Sequence, residues 1–576
     1  MDNKKIAAVF EEMGDILDIK GENVFRVNAY RRAALTTMNF PKDLRDLVDD
    51  SPRDLSKIPG IGKDLSSKII ELVNTGVCRE HIKLKKSFPE GLLEMLHLRG
   101  VGPKKVKLFY YSLKIESIKE LKDAAQNNLL QGLEKMGEKS EKDILKAIDE
   151  YARFSTKRFL ISEARMEAEH IIEYMKKLKE IDQIEFAGSL RRGKESIGDI
   201  DILVTVKNMK DTSKVIDHFV NYNEVLDVIV NGDTKSTVFL ESGIDVDLRV
   251  VNNESFGAAL HYFTGSKNHN IRVRDLAKRK KLKINEYGVF RDKKMISGKK
   301  EEDIFKAVGL PYVIPEIRRD SGEIEYGLKH KKFPKFIELS DIKGDLHSHT
   351  ENSDGRRTME EMANAFIERG YSYYAVTDHS SAMGITGGLG ESDIKKQWEK
   401  IDALNKKLKG KIKILKGSEV DIMKDGSLNF DNDILKGLDV VIIASHMYSR
   451  LPADVQTARL IAAIENPYSR ILAHPTGRLL NKRLPSEFNM EKVIDACVTN
   501  NVALEINSNP QRLDLSEKYL VIANDKGAKI TINTDSHDLG HPLYMKYGIQ
   551  MARRGWLTPK DVINTLNLKD LTAFLK

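Results

Sequence analysis

The spacing of apolar residues separates the chain into regions with different predicted secondary structure. Over residues 4–20 apolar side chains recur every three or four positions and Gly21 follows, which predicts a helix with a glycine C-cap. After residue 151, a predicted helix over 162–179 precedes short alternating or apolar runs. These runs predict the strands of a mixed α+β domain, at 184–188, 199–206, 225–230, 234–240 and 244–251.

From Gly344 onward apolar runs alternate with helical segments. Repeated strand and helix units favour a parallel sheet, and seven units favour a closed barrel. The segment 319–343 before this region is charged and is interrupted by glycine and proline, so it is interpreted as a linker. The seven runs lie at 344–346, 375–377, 414–416, 440–444, 471–473, 502–504 and 530–532.

Length and composition narrow the class of protein. At about 100–200 residues per domain, 576 residues indicate three or more domains. Charged residues make up 31% of the chain and no apolar run approaches the roughly 20 residues of a bilayer span, so no membrane association is expected. The N-terminus lacks the apolar middle of a secretory signal, which predicts a cytoplasmic protein. With only two cysteines, any metal must be held by histidine and carboxylate.

A motif of the form apolar, Gly, x, Gly occurs twice near the N-terminus. Ile58-Pro59-Gly60-Ile61-Gly62 and Leu98-Arg99-Gly100-Val101-Gly102 each lead into a predicted helix, and the glycines are 40 residues apart. Unhindered backbone amides at a helix N-terminus can face a phosphate. This helix-hairpin-helix pattern predicts that Gly60, Gly62, Gly100 and Gly102 contact the DNA backbone. A third, degraded copy is expected from Met136-Gly137 to Ile148.

Carboxylates follow a Gly-Ser turn in the α+β region. Strand alternation places Asp199 and Asp201 on one face, and a later strand offers Asp245 and Asp247 in the same way. Such carboxylates repel one another unless a cation lies between them, and Mg²⁺ suits an all-oxygen site. The preceding Ser189 and Arg192 are positioned in sequence to bind nucleotide phosphates.

The segments 188–205, 245–249 and 262–266, together with 28–34, resemble a family X DNA polymerase, and the resemblance extends from residue 1 to about 320. It implies that Asp199, Asp201 and Asp247 form a catalytic triad binding Mg²⁺ or Mn²⁺, with Asp247 preferred to Asp245. It also implies these further contacts: Ser189 and Arg192 for the triphosphate, Tyr262, Phe263, Gly265 and Asn270 for the nucleotide pocket, and Arg274 for the template strand.

Two positions depart from the family pattern. Lys267 occupies a position that is acidic in the familiar eukaryotic member, so sugar selectivity and base stacking are expected to differ. Lys68 matches the Schiff-base lysine of the 5′-deoxyribose-phosphate lyase found in some relatives, but Asp64 stands where those relatives place a phosphate-binding lysine. A lysine nucleophile needs a lowered pKa, so Lys68 is either a lyase residue or a phosphate contact.

Histidines and carboxylates follow the predicted barrel strands. In a parallel barrel such positions meet at one mouth, and nine ligands exceed the four that one zinc needs, so two or three ions are expected. The mixed ligand set accepts Mn²⁺, Zn²⁺ or Fe²⁺, which would support phosphoester hydrolysis. The predicted ligands are His347, His349, Asp354, His379, Glu419, His446, His474, Asp535 and His537. These motifs resemble the PHP (polymerase and histidinol phosphatase) domain over about 340–576.

The predicted fold is therefore multidomain: an all-α helix-hairpin-helix N-terminal region, an α+β nucleotidyltransferase palm with a thumb, and a C-terminal (β/α)7-type distorted barrel. The predicted boundaries are 1–90 and 91–150 for the helical domains, 151–255 for the palm, 256–318 for the thumb, 319–343 for the linker and 344–576 for the PHP domain.

The leading functional hypothesis is a family X DNA polymerase that fills short gaps in DNA repair, with a Mn-dependent 3′-5′ exonuclease in the PHP domain. Its expected partners are gapped or primer-template DNA and deoxynucleoside triphosphates, and a monomer is expected. Two alternatives remain at this point. In one, the N-terminal half would be a template-independent nucleotidyltransferase or a DNA-binding module. In the other, the barrel would be a tethered small-molecule phosphoesterase.

Overall fold

The computed structural model describes residues 1–576 except 2, 39, 41–43, 51, 59, 87, 99, 155–157, 383–385 and 449–450. Pro59 and Arg99 of the two predicted hairpin motifs lie outside the described residues. The chain forms two compact units, the first comprising Met1–Lys157 with Asp320–Gly322 and the second Arg158–Arg319 with Glu323–Lys576. Among the helices of the described part, none is long and apolar enough to cross a bilayer.

The first unit is helical, as the apolar spacing predicts. Its opening helix buries Ile6, Phe10, Met13 and Leu17, which recur on one face, against the second helix. The helices are α1 (Asn3–Lys20), α2 (Val24–Met38), α3 (Leu44–Asp50), α4 (Lys63–Thr75), α5 (Arg79–Lys86), α6 (Glu90–Glu94), α7 (Pro103–Leu113), α8 (Ile118–Gln126) and α9 (Glu138–Phe154).

The two Gly-x-Gly motifs form equivalent turns before α4 and α7. Gly60 has φ +92° and Gly100 has φ +70°, a left-handed region that favours glycine. In the first turn the Ile61 amide donates to the Ile58 carbonyl, and the corresponding bond in the second turn has the same 3.0 Å length. Each motif therefore reverses the chain directly before a helix N-terminus.

The third, degraded copy adopts the same turn before α9. The Met136 amide donates to the Leu133 carbonyl at 3.0 Å, and Lys135 takes the left-handed position with φ +60° where the other copies have glycine. This copy lacks the Gly-x-Gly spacing of the other two, but its backbone forms the same turn.

The second unit begins with a five-stranded sheet in the order β2-β4-β7-β6-β5, in which β4 and β7 run parallel. The strands that carry aspartates alternate as predicted, because Ile200, Ile202, Val246 and Leu248 are buried on the opposite face. The elements are β1 (Phe159–Leu160), α10 (Ile161–Met175), β2 (Ile181–Phe186), α11 (Gly188–Arg191), β3 (Ser196–Ile197), β4 (Asp199–Val206), α12 (Thr212–Val220), β5 (Val225–Asn231), β6 (Lys235–Leu240) and β7 (Asp245–Val251).

A smaller layer of helices and a three-stranded antiparallel sheet follows this sheet. Its elements are α13 (Phe256–Thr264), α14 (Lys267–Arg279), β8 (Lys283–Asn285), β9 (Gly288–Arg291), β10 (Lys294–Ser297) and α15 (Glu301–Val308). The segment interpreted as a linker contains a further helix, α16 (Glu323–His330). Its Tyr326 ring lies 5.2 Å from the Trp556 ring, so aromatic packing holds a stretch that lacks apolar periodicity.

The C-terminal part is a nearly closed parallel barrel of seven strands in chain order. A bridge between Ser348 and Ser536 and a bond from the Leu346 amide to Asn533 Oδ1 join its first and last strands. The strands are β11 (Gly344–Asp345), β12 (Tyr373–Val376), β13 (Lys413–Asp421), β14 (Val440–Ala444), β15 (Ile471–Leu472), β16 (Ala503–Asn507) and β17 (Ile530–Asn533). The helices are α17 (Met359–Ile367), α18 (Glu391–Lys407), α19 (Asn432–Lys436), α20 (Ala453–Ile464), α21 (Met490–Thr499), α22 (Glu517–Asp525), α23 (Met545–Arg554) and α24 (Leu568–Leu575).

Candidate active sites

The aspartates of the five-stranded sheet lie side by side on two neighbouring strands. In the parallel register of β4 and β7, Asp199 pairs with Asp245 and Asp201 pairs with Asp247. Burial, and then the charges of Asp199 and Asp247, raise the pKa of Asp201 to about 7. A carboxyl that resists ionisation beside two others is expected where a cation normally compensates the charge.

A glycine allows Asp201 to occupy this position. Gly188 has φ +61°, and a Cβ atom there would clash with Asp201 Oδ2. The Ala187 amide also donates to the Asp201 carbonyl at 2.7 Å. The turn that carries Ser189 and Arg192 is therefore fixed directly beside the central aspartate.

Asp247 is held by two groups that the sequence did not indicate. Thr237, its cross-strand partner on β6, donates from Oγ1 to Asp247 Oδ1 at 2.5 Å. Lys235 Nζ lies 3.3 Å from Asp247 Oδ2. Pairing of β6 with β7 creates these contacts, so they depend on strand register rather than on any local motif.

The structure brings Arg192 to the residues of the predicted nucleotide pocket. Arg192 donates from Nη1 to the Thr264 carbonyl, next to Gly265 at the end of α13. Burial, and then the charge of Arg554, lower the pKa of Arg192 to about 10. The half-buried guanidinium therefore lies between the carboxylates of Asp201 and Asp199 and the positive charges of Arg554 and Arg318.

The remaining predicted pocket residues lie on α13 and α14. Tyr262 is about one-third exposed, and its carbonyl accepts a bond from Asn270 Nδ2 at 2.7 Å. The Phe263 ring faces the guanidinium of Arg249 with 5.0 Å between Arg249 Cζ and the ring centroid. Arg274 is half-buried on α14, one helix turn beyond Asn270. Nothing in these contacts assigns Arg274 to DNA, so that role stays a prediction.

The second cluster of ligands gathers at one mouth of the barrel, as the strand ends predict. His347 and His349 follow β11, His379 follows β12 and Glu419 lies on β13. Three groups of side chains place ligand atoms within 4.8 Å of one another. These groups are His349, Asp354, His379 and His537; His347, His349 and Asp535; and His379, Glu419 and His446. The ninth predicted ligand, His474, places Nε2 2.9 Å from Glu419 Oε1.

The imidazole nitrogens and carboxylate oxygens at the barrel mouth are suitable ligands for cations. Nε2 of His347 lies 3.3 Å from Glu419 Oε2 and Nε2 of His349 lies 3.1 Å from Asp535 Oδ1, yet neither nitrogen has a hydrogen bond among the described residues. Buried polar atoms of this kind are costly unless a ligand satisfies them. This cluster of imidazoles and carboxylates can therefore hold divalent metal ions.

Charges within the cluster shift the pKa values of its members in opposite directions. Burial disfavours ionisation of Glu419, but the imidazoles of His446, His347 and His379 outweigh it and hold the pKa of Glu419 well below its usual range. Burial, then the charge of His537, lowers the pKa of His349 to about 3. Burial alone would lower the pKa of His446, but the carboxylates, Glu419 foremost, raise it to about 10, so metal binding to this imidazole would release a proton.

Two carboxylates behind the ligands were missed in the sequence. Glu505, on the one barrel strand without a predicted ligand, accepts a bond from His347 Nδ1 at 2.7 Å. Asp421, at the end of β13, accepts a bond from His446 Nδ1 at 2.9 Å. Each bond fixes the imidazole so that Nε2 faces the cluster. The available signal in the sequence was a glutamate inside the apolar run 502–506, and the structure buries this side chain fully.

Lys68 in the first unit is buried and ion-paired. Its Nζ lies 2.5 Å from Asp64 Oδ1 and 2.9 Å from Glu80 Oε2. Burial alone would lower the pKa of Lys68, but the hydrogen bonds to Asp64 and Glu80 outweigh it and raise the pKa above its ordinary value. This environment is the opposite of what a neutral amine nucleophile needs, and lyase activity stays a prediction.

The hairpin glycines differ in how open their backbones are, since a Cβ atom on Gly60 would lie 3.0 Å from the Arg32 side chain. Gly62 and Gly102 are the N-cap residues of α4 and α7, and neither cap has a side-chain hydrogen bond. A Cβ atom on Gly62, Gly100 or Gly102 would meet nothing within 4 Å among the described residues, so these backbones are open to a ligand. Their contact with DNA is a prediction that this geometry accommodates.

Known families match each of these regions. A helix-hairpin-helix domain matches residues 1–78 and a helix-hairpin-helix tandem matches 92–150. The DNA polymerase beta palm and thumb match 160–256 and 259–319. The PHP domain matches 345–509. The fold and both sites thus define a polymerase core joined to a PHP domain.

Individual relatives agree with this architecture. The DNA polymerase/3′-5′ exonuclease PolX of Bacillus subtilis is 38% identical over 580 residues and covers the whole of both chains. A probable phosphatase of Thermoanaerobacter sp. is 29% identical over 38% of this chain and 89% of its own. The DNA polymerase lambda of Rattus norvegicus is 25% identical over 55% of this chain and 56% of its own. The chain belongs to the family X DNA polymerases that carry a C-terminal PHP domain.

Proposed function

We propose that the chain fills short gaps in DNA by template-directed synthesis at the aspartates of the palm, and that it removes 3′-terminal nucleotides at the barrel mouth. The observation that carries this proposal is the presence of both clusters in one chain that is similar along its whole length to a named polymerase and 3′-5′ exonuclease. Deoxynucleoside triphosphates and gapped or primer-template DNA are the substrates that follow.

In the palm, Asp199, Asp201 and Asp247 would hold Mg²⁺ or Mn²⁺. Bound cations of this type activate a 3′-hydroxyl and stabilise a departing pyrophosphate. The protein positions the aspartates that bind these cations. Thr237 orients Asp247, and Gly188 lets Asp201 approach the phosphate-binding turn. Arg192 and Ser189 bind the triphosphate, and the Tyr262 segment forms the wall against which the nucleotide packs.

In the barrel, the nine ligands would hold two or three ions, of which Mn²⁺ is the proposed activating metal. Such ions supply a nucleophilic water near neutral pH and neutralise the phosphodiester. Glu505 and Asp421 hold His347 and His446 in the orientation that directs Nε2 into the site.

The N-terminal hairpins supply the third part of the proposal. Their open backbone amides bind phosphates without reading bases, so the protein is expected to grip gapped DNA irrespective of sequence. We expect a monomer, and we expect it in the cytoplasm.

Two single substitutions test the separation of the activities. Asp199→Ala is expected to abolish nucleotide incorporation on a gapped duplex and to leave exonuclease activity intact, because only the palm loses a ligand. His349→Ala is expected to do the reverse. The assay is extension and shortening of one labelled primer with Mn²⁺. Loss of both activities in either variant would contradict two separate sites.

A second candidate for the barrel is a phosphatase acting on small molecules, which the similarity to the probable phosphatase favours. Labelled primer-template and a simple sugar phosphate, offered side by side with Mn²⁺, discriminate the two. Faster hydrolysis of the sugar phosphate would favour the phosphatase. Incorporation that ignores the template base would favour a template-independent nucleotidyltransferase in the palm.

The lyase activity expected from Lys68 belongs with these proposals. Borohydride trapping on a 5′-deoxyribose-phosphate substrate measures it, with Lys68→Ala as the control. Because Lys68 is ion-paired to Asp64 and Glu80, we expect trapping to be slow. Trapping equal in the control would remove Lys68 from the assignment.

A further inference from the structure

The PHP domain contacts the turn that carries the proposed triphosphate ligands. Arg554, the last residue of α23, is 3% exposed and donates from Nη1 to the Arg192 carbonyl at 2.7 Å. Its other nitrogen, Nη2, pairs with Glu517 on α22. Glu517 also lies 2.9 Å from Arg319 Nη2, so its carboxylate anchors two guanidinium groups. A barrel helix therefore satisfies a backbone acceptor of the polymerase core.

A second contact from the same helix lies at the next residue of the turn. Gly193 has φ +61°, and a Cβ atom there would lie 3.0 Å from Gln550 Cβ. Gln550 precedes Arg554 by one helix turn, so both side chains project from one face of α23. The glycine thus permits the close approach of this helix face to the turn.

A third contact comes from the loop that follows His474. Arg478 donates from Nη2 to Glu195 Oε2 at 2.6 Å and from Nε to the Arg512 carbonyl at 2.9 Å. The Arg478 side chain is 11% exposed, which favours a strong ion pair. Consecutive parts of the polymerase turn, from Arg192 to Glu195, are therefore braced by the barrel domain.

These contacts define where the Arg192 side chain can lie. Its guanidinium is held by the Thr264 carbonyl on one side, while its own carbonyl is held by Arg554 on the other. A partly buried carbonyl that loses its donor forces the backbone to move or to admit water. A small shift of this backbone would move the guanidinium away from the triphosphate.

We propose that Arg554 is a positioning residue for the polymerase reaction, through which the PHP domain holds Arg192 in the geometry that binds the incoming triphosphate. This inference rests on the proposed role of Arg192. It assigns to the C-terminal domain a part in nucleotide binding that is separate from its own hydrolytic centre.

The test measures KM for a deoxynucleoside triphosphate and kcat on gapped DNA. Arg554→Met keeps the apolar stem of the side chain but removes the guanidinium with its donors and its charge, and it is expected to raise KM about tenfold with a smaller change in kcat. Arg554→Lys keeps one donor and the charge opposite Glu517, and it is expected to restore part of the loss. Arg553→Met is the matched control, because Arg553 contacts Glu316 and the Ile337 carbonyl instead of the turn.

A double-mutant cycle separates this proposal from the one on which it rests. If Arg554 acts through Arg192, Arg554→Met has no further effect on KM in an Arg192→Met background. An unchanged KM in Arg192→Met itself would overturn the triphosphate role of Arg192. A raised KM in Arg192→Met with an unchanged KM in Arg554→Met would overturn the positioning role alone.

Exonuclease activity on single-stranded DNA reports on the integrity of the barrel in every variant. If Arg554→Met loses this activity as well, Arg554→Lys replaces it, since it keeps the charge opposite Glu517 and changes how the Arg192 carbonyl is held. A rise in KM with normal exonuclease activity supports the proposal. A KM in Arg554→Lys equal to that of the unaltered protein would overturn it, because the lysine is expected to restore only part of the loss.

Discussion

The two proposed metal sites differ in how far the protein assembles them by itself. At the barrel mouth, three groups of ligands already lie within bonding range of common ions, and most members are buried. In the palm, Asp199 is exposed and Asp201 and Asp247 are half-buried, and these aspartates do not form such a group among the described residues. We therefore expect the barrel site to be preorganised and the palm site to be completed when DNA and nucleotide bind.

The difference follows from the supporting contacts. Behind the barrel ligands, Glu505 and Asp421 lock imidazole orientations with bonds of 2.7 and 2.9 Å. In the palm, support comes from strand register, the Thr237 hydroxyl, the Lys235 ammonium group and one glycine that allows close approach. A hydrolytic centre that accepts many 3′ ends benefits from a fixed ion cluster. A synthetic centre gains specificity when the correct substrate completes it.

The largest effect is expected from filling the space beside the central aspartate. Gly188→Ala places a Cβ atom against Asp201 Oδ2 in a backbone conformation that alanine disfavours, so Asp201 must move. We expect polymerase kcat/KM to fall at least about 100-fold, because a shift of 1 Å at a catalytic group has a cost of that order. Exonuclease activity should be retained. Full polymerase activity would show that the palm site does not depend on this approach.

A smaller effect is expected behind the barrel ligands. Glu505→Gln replaces the acceptor of His347 Nδ1 with an amide that can present a donor to the imidazole. Loss of such an outer contact typically lowers metal affinity or activity by about 10- to 100-fold. Exonuclease titrations with Mn²⁺ should therefore shift to higher concentration, with gap filling unaffected. An unchanged Mn²⁺ titration would mean that the barrel ligands do not depend on the hydrogen bond from His347 to Glu505 on β16.

The smallest effect is expected at the supporting hydroxyl of the palm. Thr237→Val is isosteric and removes the bond to Asp247. Because one hydrogen bond to a charged group contributes about 1.5–3 kcal/mol, and Lys235 remains nearby, we expect a polymerase loss of about tenfold. Steady-state rates against Mg²⁺ concentration measure it. A loss as large as that of Gly188→Ala would show that the palm is as strictly assembled as the barrel.

Local pattern predicts the parts of both sites that depend on local geometry. Strand alternation correctly places Asp199 with Asp201 on one face, and the order of strand and helix units correctly predicts a barrel with its ligands at one mouth. The family matches bear out the polymerase and PHP resemblance on which the site roles rest. These features need only the period of a strand or the direction of a parallel sheet.

Contacts between residues that lie far apart in the chain could not be predicted from the sequence. Glu505 reaches His347 across 158 positions, and Arg554 reaches Arg192 across 362. Glu80 on α5 pairs with Lys68 and creates the opposite of the electrostatic environment that a lyase lysine needs. No local sequence motif contains Glu80. The helix α16 forms in the predicted linker because its aromatic side chain packs on Trp556, far away in the chain.

The central claim is that the barrel site is formed before substrate binds and the palm site is not. Anomalous diffraction from crystals of the DNA-free protein soaked in Mn²⁺ tests it directly. We predict strong peaks between His347, His349, Asp535 and Glu419, and weak or no density between Asp199, Asp201 and Asp247. Full occupancy at the aspartates with an empty barrel mouth would contradict the account.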